Sequence, residues 1–581
     1  MAYRVDGPTD AVGWEDSGPF WGARAYAPKT GLDHLGLASV SQDHILPMLS
    51  PGINVLTPHP RYWSFYLLVL DEFWKRPLPR TAASFRAFFR PREATFSMAC
   101  HVCEAGEGHE ALGGGIVGAN KISPLAEDQT FDPPKVAVDY MKSDLGGYGL
   151  YYRTAMESTG VLLMARPGGG FLVDVPTPRG QAIAAAYRDA IADTALWQRH
   201  LSQDLQRPIE RDDLVHFARV GCLCQLPQAN NADLPLLQDL FLHEPSNRAQ
   251  QRRDTMRFFL DLGRTYSSLV LDQPKFRRLV YFHRLDGVFY EPHLDLLQTA
   301  RYWRLLQARE YFAYALNRLL EWVRANGAGD RSVATRAASD LDHLLEEALD
   351  SNTLGETLGG QVTSSTPATR LVALLTERVQ VTFTIDEPWL EHEELDEGSL
   401  YMGTLRALHN GDALVRLLAM ILLIHRRLGT PDRLLALDPT SQGLLRQGGS
   451  IRVGMDQFFR ELTRRLAAEQ TLGELARWIV STRIVTQHER VAVAKLPDDT
   501  FRIRRIGDMI RFFDKDASSP MNDSRFNALS KMVHELGLVT DFQQAGRAMS
   551  PAGAQLLSDG DLPAGALDVA ASQYEHMAAS S

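Results

Sequence analysis

Residues 522–557, NDSRFNALSKMVHELGLVTDFQQAGRAMSPAGAQLL, predict the closing half of a winged-helix domain. A helix is predicted over residues 524–535, because apolar residues recur there at the spacing of a buried stripe. Those residues are Phe526, Leu529, Val533 and Leu536. Gly537 is expected to end this helix, and a strand is expected to follow the glycine. Ser550 is expected to cap the next helix, with Pro551 as its first residue. Helix, strand, wing, strand and helix is the order that a winged helix requires.

The same order of elements is predicted a second time, at residues 148–187. A helix over 148–159 is followed by strands at 161–164 and 171–175, with the wing tip at the three glycines between them. Thr177 then precedes a proline and opens a long helix, just as Ser550 does in the C-terminal copy. The fold class is therefore expected to be mainly α, a multi-domain helical protein with winged-helix modules whose wings add a small β component.

The length of 581 residues favours several packed units over one core. Changes in composition and periodicity place the boundaries between these units. We expect an N-terminal helical region at 1–95, a winged-helix-like module at 96–200, a helical domain at 201–325, a linker at 326–368, a second helical domain at 369–475, a C-terminal winged-helix domain at 476–558 and a disordered tail at 559–581.

The overall charge limits how this protein could contact nucleic acid. Its 61 basic and 71 acidic residues give a net charge of -10, so any contact with nucleic acid must be local. Four cysteines fit a reducing compartment, and the first residues do not resemble a secretory signal. The longest apolar run, 417–424, is too short to span a bilayer. We expect a cytoplasmic protein without membrane association.

A local basic cluster lies just before the C-terminal module. It surrounds the strand-like segment FRIRRI at 501–506, and it could hold phosphates without reading bases. The candidate nucleic-acid-binding residues are Arg502, Arg504, Arg505 and Arg511 in this cluster, with Arg525 and Lys531 on the helix that could enter a major groove. Aspartates interleave with these residues, so an ordinary solvated face is the alternative. The winged helices could also serve protein contacts alone.

The four cysteines fall in two close pairs, Cys100 with Cys103 and Cys222 with Cys224. Such pairs could complete a four-thiolate zinc site, and His101 and His109 lie near the first pair. Buried free cysteines account for the same pattern, and we favour that interpretation. No metal ligand and no cofactor is therefore assigned.

Other motifs do not predict a reaction. The segment GGGIVG at 113–118 matches the dinucleotide fingerprint, but no strand is predicted before it, so a loop is favoured. The acidic run EHEE at 391–394 is expected to be an exposed loop or a helix start. No P-loop, nucleophile elbow or H-E-x-x-H motif occurs. No catalytic residue is assigned, and the absence of these motifs favours a non-enzymatic protein without excluding an enzyme.

Two N-terminal motifs suggest a family. PGINVLT at 51–57 precedes RYWSF at 61–65 and an apolar helix, which resembles a signature of uncharacterised bacterial proteins found in antiphage defence loci. Segments at 90–93, 303–320 and 491–505 extend the resemblance along most of the chain. The resemblance implies a role in bacterial immunity, with no catalytic residues to carry across.

These observations lead to one expected function and two alternatives. We expect a non-enzymatic subunit of a bacterial antiphage defence system that binds double-stranded DNA, or protein partners encoded in the same locus. One alternative is a kleisin-like bridging subunit of an SMC-type complex, because winged helices joined by a helical middle resemble that layout. The other is a nuclease whose carboxylates are dispersed along the chain. Sequence alone leaves the partner, the oligomeric state and the trigger open.

Overall fold

The structure is a computed structural model of the chain. It describes residues 33–581 apart from short gaps at 111–113, 167–169, 206–207, 229–230, 245–246, 330–333, 380, 382–383, 407–410, 449–450 and 581. Part of the predicted N-terminal wing tip and the first glycine of the segment 113–118 lie outside the described residues.

The described chain is mainly α, as predicted. Its α-helices in the first half are α1 (Ala38–Val40), α2 (Leu46–Leu49), α3 (Arg61–Lys75), α4 (Ala82–His101), α5 (Glu107–Glu110), α6 (Ala119–Ile122), α7 (Pro133–Val136), α8 (Arg153–Ser158), α9 (Pro178–Ile191), α10 (Arg211–Gly221), α11 (Asp233–His243), α12 (Asn247–Thr265), α13 (Gln273–Phe282) and α14 (Leu297–Ala328). Those in the second half are α15 (Ala338–Asp350), α16 (Leu354–Leu358), α17 (Ala368–Val379), α18 (Glu397–Arg406), α19 (Gly411–Ile424), α20 (Pro431–Ala436), α21 (Pro439–Arg446), α22 (Met455–Ala467), α23 (Leu472–Trp478), α24 (Gln487–Ala494), α25 (Phe526–Glu535), α26 (Pro551–Asp559) and α27 (Ala566–Ser580).

Short elements of other types complete the chain. The π-helical turns are Ser41–Ile45, Tyr148–Tyr152, Trp197–Leu201, His425–Gly429 and Ile479–Thr486, and the 3₁₀ turns are Ser123–Leu125, Leu223–Gln225 and Leu294–Leu296. The strands are β1 (Thr130–Phe131), β2 (Leu162–Leu163), β3 (Val175–Pro176), β4 (Ile209–Glu210), β5 (Arg284–Leu285), β6 (Val288–Phe289), β7 (Ala334–Ala337), β8 (Ile503–Ile506) and β9 (Met509–Phe512). They form antiparallel pairs β1 with β4, β2 with β3 and β5 with β6, and a three-stranded sheet in the order β7-β9-β8.

Three helices that the sequence marks as apolar lie in the core. In α3 the aromatic residues of the RYWSF motif are buried, with Trp63 in edge contact with Phe241 of α11. The long α14 is buried on several sides, and nearly all of α19 is buried. Each has apolar residues around most of its circumference, which is the pattern of a helix surrounded by protein. No helix in the described ranges combines the length and apolarity needed to cross a membrane.

Both predicted repeats show the expected capping. Thr177 accepts a hydrogen bond from the Gly180 N–H (3.3 Å) at the start of α9, and Ser550 accepts one from the Gly553 N–H (3.0 Å) at the start of α26. A proline holds the first helical position in each case. Before α9 the strands β2 and β3 pair, whereas before α26 Val539 and Met549 form a single bridge. The two strands predicted between α25 and α26 are thus reduced to one bridge, and the winged-helix assignment itself stays a prediction.

The third residue of each capped helix must be glycine. A Cβ at Gly553 would overlap the carbonyl oxygen of Leu538, and one at Gly180 would overlap that of Val161. We expect Gly553→Ala to lower the free energy of unfolding by about 1–3 kcal/mol, because the Leu538 backbone and the helix α26 must move apart. Urea unfolding would measure this. Gly443→Ala in α21, where a Cβ meets open space, is the control and should be neutral or stabilising by up to about 1 kcal/mol. Equal losses in both variants would contradict the close contact.

The predicted disordered tail is helical and packed in the structure, and the predicted linker, in which a short helix near 341–349 is expected, is packed as well. Within the predicted linker, α15 buries a stripe of Leu341, Leu345 and Leu349, and β7 pairs with β9. Within the predicted tail, Leu567 of α27 is fully buried and Arg179 of α9 forms an ion pair with Asp568 (3.0 Å). Small and polar residues dominate both segments, but a few apolar side chains at helical spacing suffice to dock them.

Candidate nucleic-acid interface

The predicted basic cluster forms a β-hairpin. Strands β8 and β9 are joined by the two-residue turn Gly507-Asp508, and Gly507 has a φ of +60°. A glycine with positive φ at the first turn position is typical of tight hairpins, whose twist matches that of the strands. Strand β7, from the predicted linker, pairs with the other edge of β9.

The sheet has a buried face and an open face. Ile503, Ile510 and Phe512 are buried, and the Phe512 ring packs against Gly327 of α14. Arg504 and Arg511 stand directly opposite each other on the other face, because paired residues share a face and alternate along the strands. Both arginines are exposed, so the open face presents two adjacent positive charges to solvent.

Aromatic rings rather than carboxylates support these arginines. The guanidinium carbon of Arg504 lies 5.3 Å from the Phe501 ring centre, and that of Arg511 lies 5.0 Å from the Phe513 ring centre. Within the described chain no ion pair joins Arg504, Arg505 or Arg511 to an acidic group. Like charges placed directly opposite are unfavourable, and an anion bound between them would relieve the repulsion.

Exposed apolar side chains extend the open face toward the tip of the hairpin. Ile506 and Met509 form the last cross-strand pair before the turn, and they are 53% and 40% exposed. Two of the aspartates nearby have other partners: Asp499 pairs with Lys515 (2.7 Å) and Asp516 accepts from Ser518. The face therefore combines two arginines, supporting aromatic rings and a small apolar tip.

Arg502 anchors the hairpin. Its Nη1 donates to the Thr500 carbonyl (2.9 Å), and its Nε donates to the Asp516 carbonyl. Its backbone N–H donates to Nε2 of His488 in α24 (2.8 Å). Burial lowers the pKa of the Arg502 side chain, although Asp516 and Asp499 oppose this effect. Arg502 thus differs from the two arginines of the open face, because its donors are used within the protein.

The helix expected to enter a groove is turned inward. Arg525 is 8% exposed, and its Nη1 donates to the carbonyls of Leu46 (2.9 Å), Ser50 (3.1 Å) and Ile53 (2.7 Å). Burial lowers its pKa to about 10. Lys531 is half-buried, and its Nζ donates to the Gly114 carbonyl (3.2 Å). The predicted outer face of this helix is wrong for Arg525, because the N-terminal segment around α2 covers it.

The corresponding helical segment of the N-terminal repeat is also packed. Tyr148 and Tyr152 are buried, and Arg153 makes a bidentate contact with Asp174 at 2.6 and 2.7 Å. In both repeats the helix before the first strand therefore contributes to the core, and neither presents an open basic face.

The remaining sequence motifs have structural surroundings. Gly118 has a φ of +74° and precedes the four-residue α6, so the described part of the glycine-rich segment is a loop and lacks the strand-to-helix geometry of a dinucleotide site. In the acidic run, Glu391 pairs with Arg278 (2.9 Å). Three of the four cysteines meet around a histidine, as described below.

The sequence pattern predicts a cluster of arginines at the hairpin but not the arrangement of their side chains. The pairing of Arg504 with Arg511 follows from the tight turn at Gly507, which a Gly-Asp dipeptide between two β-like segments could have indicated. The role of His488 as acceptor of the Arg502 N–H has no local sequence signal. No protein-family model, no curated protein and no solved structure matches this chain.

Proposed function

We propose that this protein is a non-enzymatic binding subunit that contacts the phosphate backbone of double-stranded DNA through the β8–β9 hairpin. The observation that carries the proposal is the cross-strand pair of Arg504 and Arg511, exposed and without carboxylate partners in the described chain. The two arginines lie on the open face of the three-stranded sheet, and exposed arginines can bind phosphates without reading bases. The net charge of -10 limits such contact to a local surface.

The proposal differs from the expectation of a groove-binding helix. With Arg525 buried, the hairpin is a better candidate than the helix, and the arginines of β8 and β9 replace the helix as the DNA-contacting element. Recognition of this kind is independent of sequence, because phosphate contacts position a protein without identifying bases. The subunit would then depend on a partner for any specific action.

A binding assay with fluorescent duplex DNA of mixed sequence tests this function. We expect binding at low salt, and we expect the double variant Arg504→Ala/Arg511→Ala to bind at least about tenfold more weakly, since even one charge-assisted hydrogen bond contributes about 1.5 kcal/mol. Fluorescence anisotropy at constant ionic strength would give both dissociation constants.

A matched control removes two positive charges elsewhere. Arg86→Ala/Arg464→Ala replaces arginines that are 49% and 75% exposed and that pair with Asp144 and Glu461. This control should bind DNA like the unmodified protein. If the wild type shows no duplex binding at low salt, or if the control loses as much affinity as the hairpin variant, the proposal is wrong.

The biological context of the proposal comes from the resemblance to proteins of antiphage defence loci. We propose that the subunit acts with proteins encoded in the same locus, which would supply any catalytic step. Co-purification of the tagged chain with products of the neighbouring genes would support this, and isolation of the chain alone under conditions that preserve complexes would count against it.

A further inference from the structure

Three thiols and one imidazole meet at a point where separate segments of the chain come together. Cys103 follows the end of α4, and His109 lies in the short α5. Cys222 and Cys224 lie at and within the turn that follows α10. The ligand atoms of these four residues all lie within 4.8 Å of one another.

Two of the distances between ligand atoms match those of a tetrahedral metal site. The sulfurs of Cys103 and Cys224 are 3.6 Å apart, and the Cys222 sulfur is 3.7 Å from His109 Nδ1. Zinc bonds of about 2.3 Å to sulfur and about 2.0 Å to nitrogen place ligand atoms roughly 3.5–3.8 Å apart at tetrahedral angles. A disulfide would need about 2.05 Å between sulfurs, and the cysteines are free.

We propose that Cys103, His109, Cys222 and Cys224 bind one zinc ion. Three thiolates and an imidazole complete the coordination shell, so the site is closed and structural, with no position left for a substrate. Cys100, which the sequence pattern offers as the fourth thiolate, lies one turn earlier on α4 and is not part of the group. This proposal replaces the interpretation, favoured from the sequence, that the cysteines are buried and free.

Neighbouring side chains hold the ligands in place. Nη1 of Arg61, in the RYWSF motif, donates to the carbonyls of Cys222 (2.8 Å) and Val220 (2.7 Å). The side-chain amide of Gln225 donates to the Cys224 sulfur (3.3 Å), an interaction that favours a thiolate. Such outer contacts orient metal ligands and raise affinity for the ion.

The ion would connect parts of the chain that are distant in sequence. Cys103 and Cys224 are 121 positions apart, and the site joins the end of α4 and the loop after it to the turn that follows α10. Metal binding of this kind contributes directly to folding stability, because the unfolded chain offers no formed site. The zinc site therefore stabilises the contact between the N-terminal region and the helical domain beginning at α10.

Metal analysis of the full chain tests the proposal. We expect about one zinc per chain after purification without added metal, measured by plasma mass spectrometry. Replacement by Co²⁺ should give the strong visible bands of tetrahedral cobalt and a thiolate charge-transfer band, because geometry and ligand type are diagnostic. Zinc well below one per chain together with octahedral cobalt spectra would overturn the proposal.

Variants identify the ligands. Cys103→Ser should weaken the charge-transfer band by about a third and Cys222→Ser should reduce zinc content severalfold, since each removes one of three thiolates. Cys100→Ser is the control and should retain full zinc content and the same cobalt spectrum. If Cys100→Ser loses zinc and Cys103→Ser retains it, the proposed set of ligands is wrong. If Cys222→Ser does not fold, the variant Cys103→Ser, at a half-buried position, and the cobalt spectrum of the wild type still test whether these residues bind the metal.

Discussion

Replacing Arg61 by alanine is expected to lower the free energy of unfolding by about 3–5 kcal/mol, the usual cost of removing one partner from a buried ion pair. Arg61 and Asp233 are both completely buried, and the Arg61 Nε lies 3.2 Å from the Asp233 carboxylate. The same guanidinium donates to Asn231 Oδ1 (2.9 Å) and to the backbone carbonyls of Val220 and Cys222 at the end of α10. Alanine would leave a carboxylate and several acceptors buried without donors.

Urea unfolding of Arg61→Ala would measure this loss, and an exposed arginine provides the comparison. Arg86 in α4 also pairs with an aspartate, at 2.8 Å, but Arg86 and Asp144 are 49% and 75% exposed. Arg86→Ala should therefore cost no more than about 1 kcal/mol. A loss below about 1 kcal/mol for Arg61→Ala would contradict the structural role assigned to the first residue of the RYWSF motif.

Acidification is expected to destabilise the protein strongly between pH 6.5 and 4. Burial lowers the pKa of His488 to about 4, although a hydrogen bond to the His34 carbonyl opposes this effect, and burial lowers the pKa of His425 to about 4. The unfolded chain, with an ordinary histidine pKa of 6.5, binds these protons first. Stability contributed by the neutral rings is thus present above pH 6.5 and lost as the pH falls toward 4. Each histidine should lower the free energy of unfolding by about 2 kcal/mol at pH 5 relative to pH 7.5.

The two hydrogen bonds of the His488 ring require it to be neutral. Its Nδ1 donates to the His34 carbonyl (3.1 Å), and its Nε2 must carry a lone pair to accept the Arg502 N–H (2.8 Å). Protonation would remove the acceptor that holds the start of the hairpin. Between pH 7.5 and 5, the free energy of unfolding of His488→Gln should fall by about 2 kcal/mol less than that of the wild type. Urea unfolding at each pH would measure both values.

An exposed histidine is the control for this pH dependence. His343 in α15 is 76% exposed, and His343→Gln should lose stability on acidification as the wild type does. An unfolding free energy that is unchanged from pH 7.5 to 5 in the wild type would contradict the assignment of buried neutral histidines. So would identical acid sensitivity of the wild type and His488→Gln.

The sequence predicted the features that depend on a few neighbouring residues. The caps at Thr177 and Ser550 were predicted correctly, because each involves a side chain and the N–H three positions later. The apolar helix α3 was also predicted, since the RYWSF motif was expected to precede such a helix. Mainly helical structure followed from these patterns.

Features that depend on distant parts of the chain were not predictable. Arg525 is covered by carbonyls of residues near α2, more than 470 positions away in sequence, so local charge gave no sign of its burial. His109 lies beside the three thiols because the chain after α4 folds back toward them. The spacing of the cysteines alone suggested Cys100 as the fourth ligand. The strand β7 lies in a segment of small and polar residues, and its partner β9 is far along the chain.

The salt dependence of duplex DNA binding reports directly on phosphate contact by the β8–β9 hairpin. The logarithm of the binding constant should fall linearly with the logarithm of salt concentration, with a slope of about -0.9 for each phosphate contacted. We expect Arg504→Ala/Arg511→Ala to reduce the magnitude of this slope by about 1.8, and Arg86→Ala/Arg464→Ala to leave it unchanged. A slope that is the same in the hairpin variant and the wild type would contradict phosphate contact by the β8–β9 hairpin.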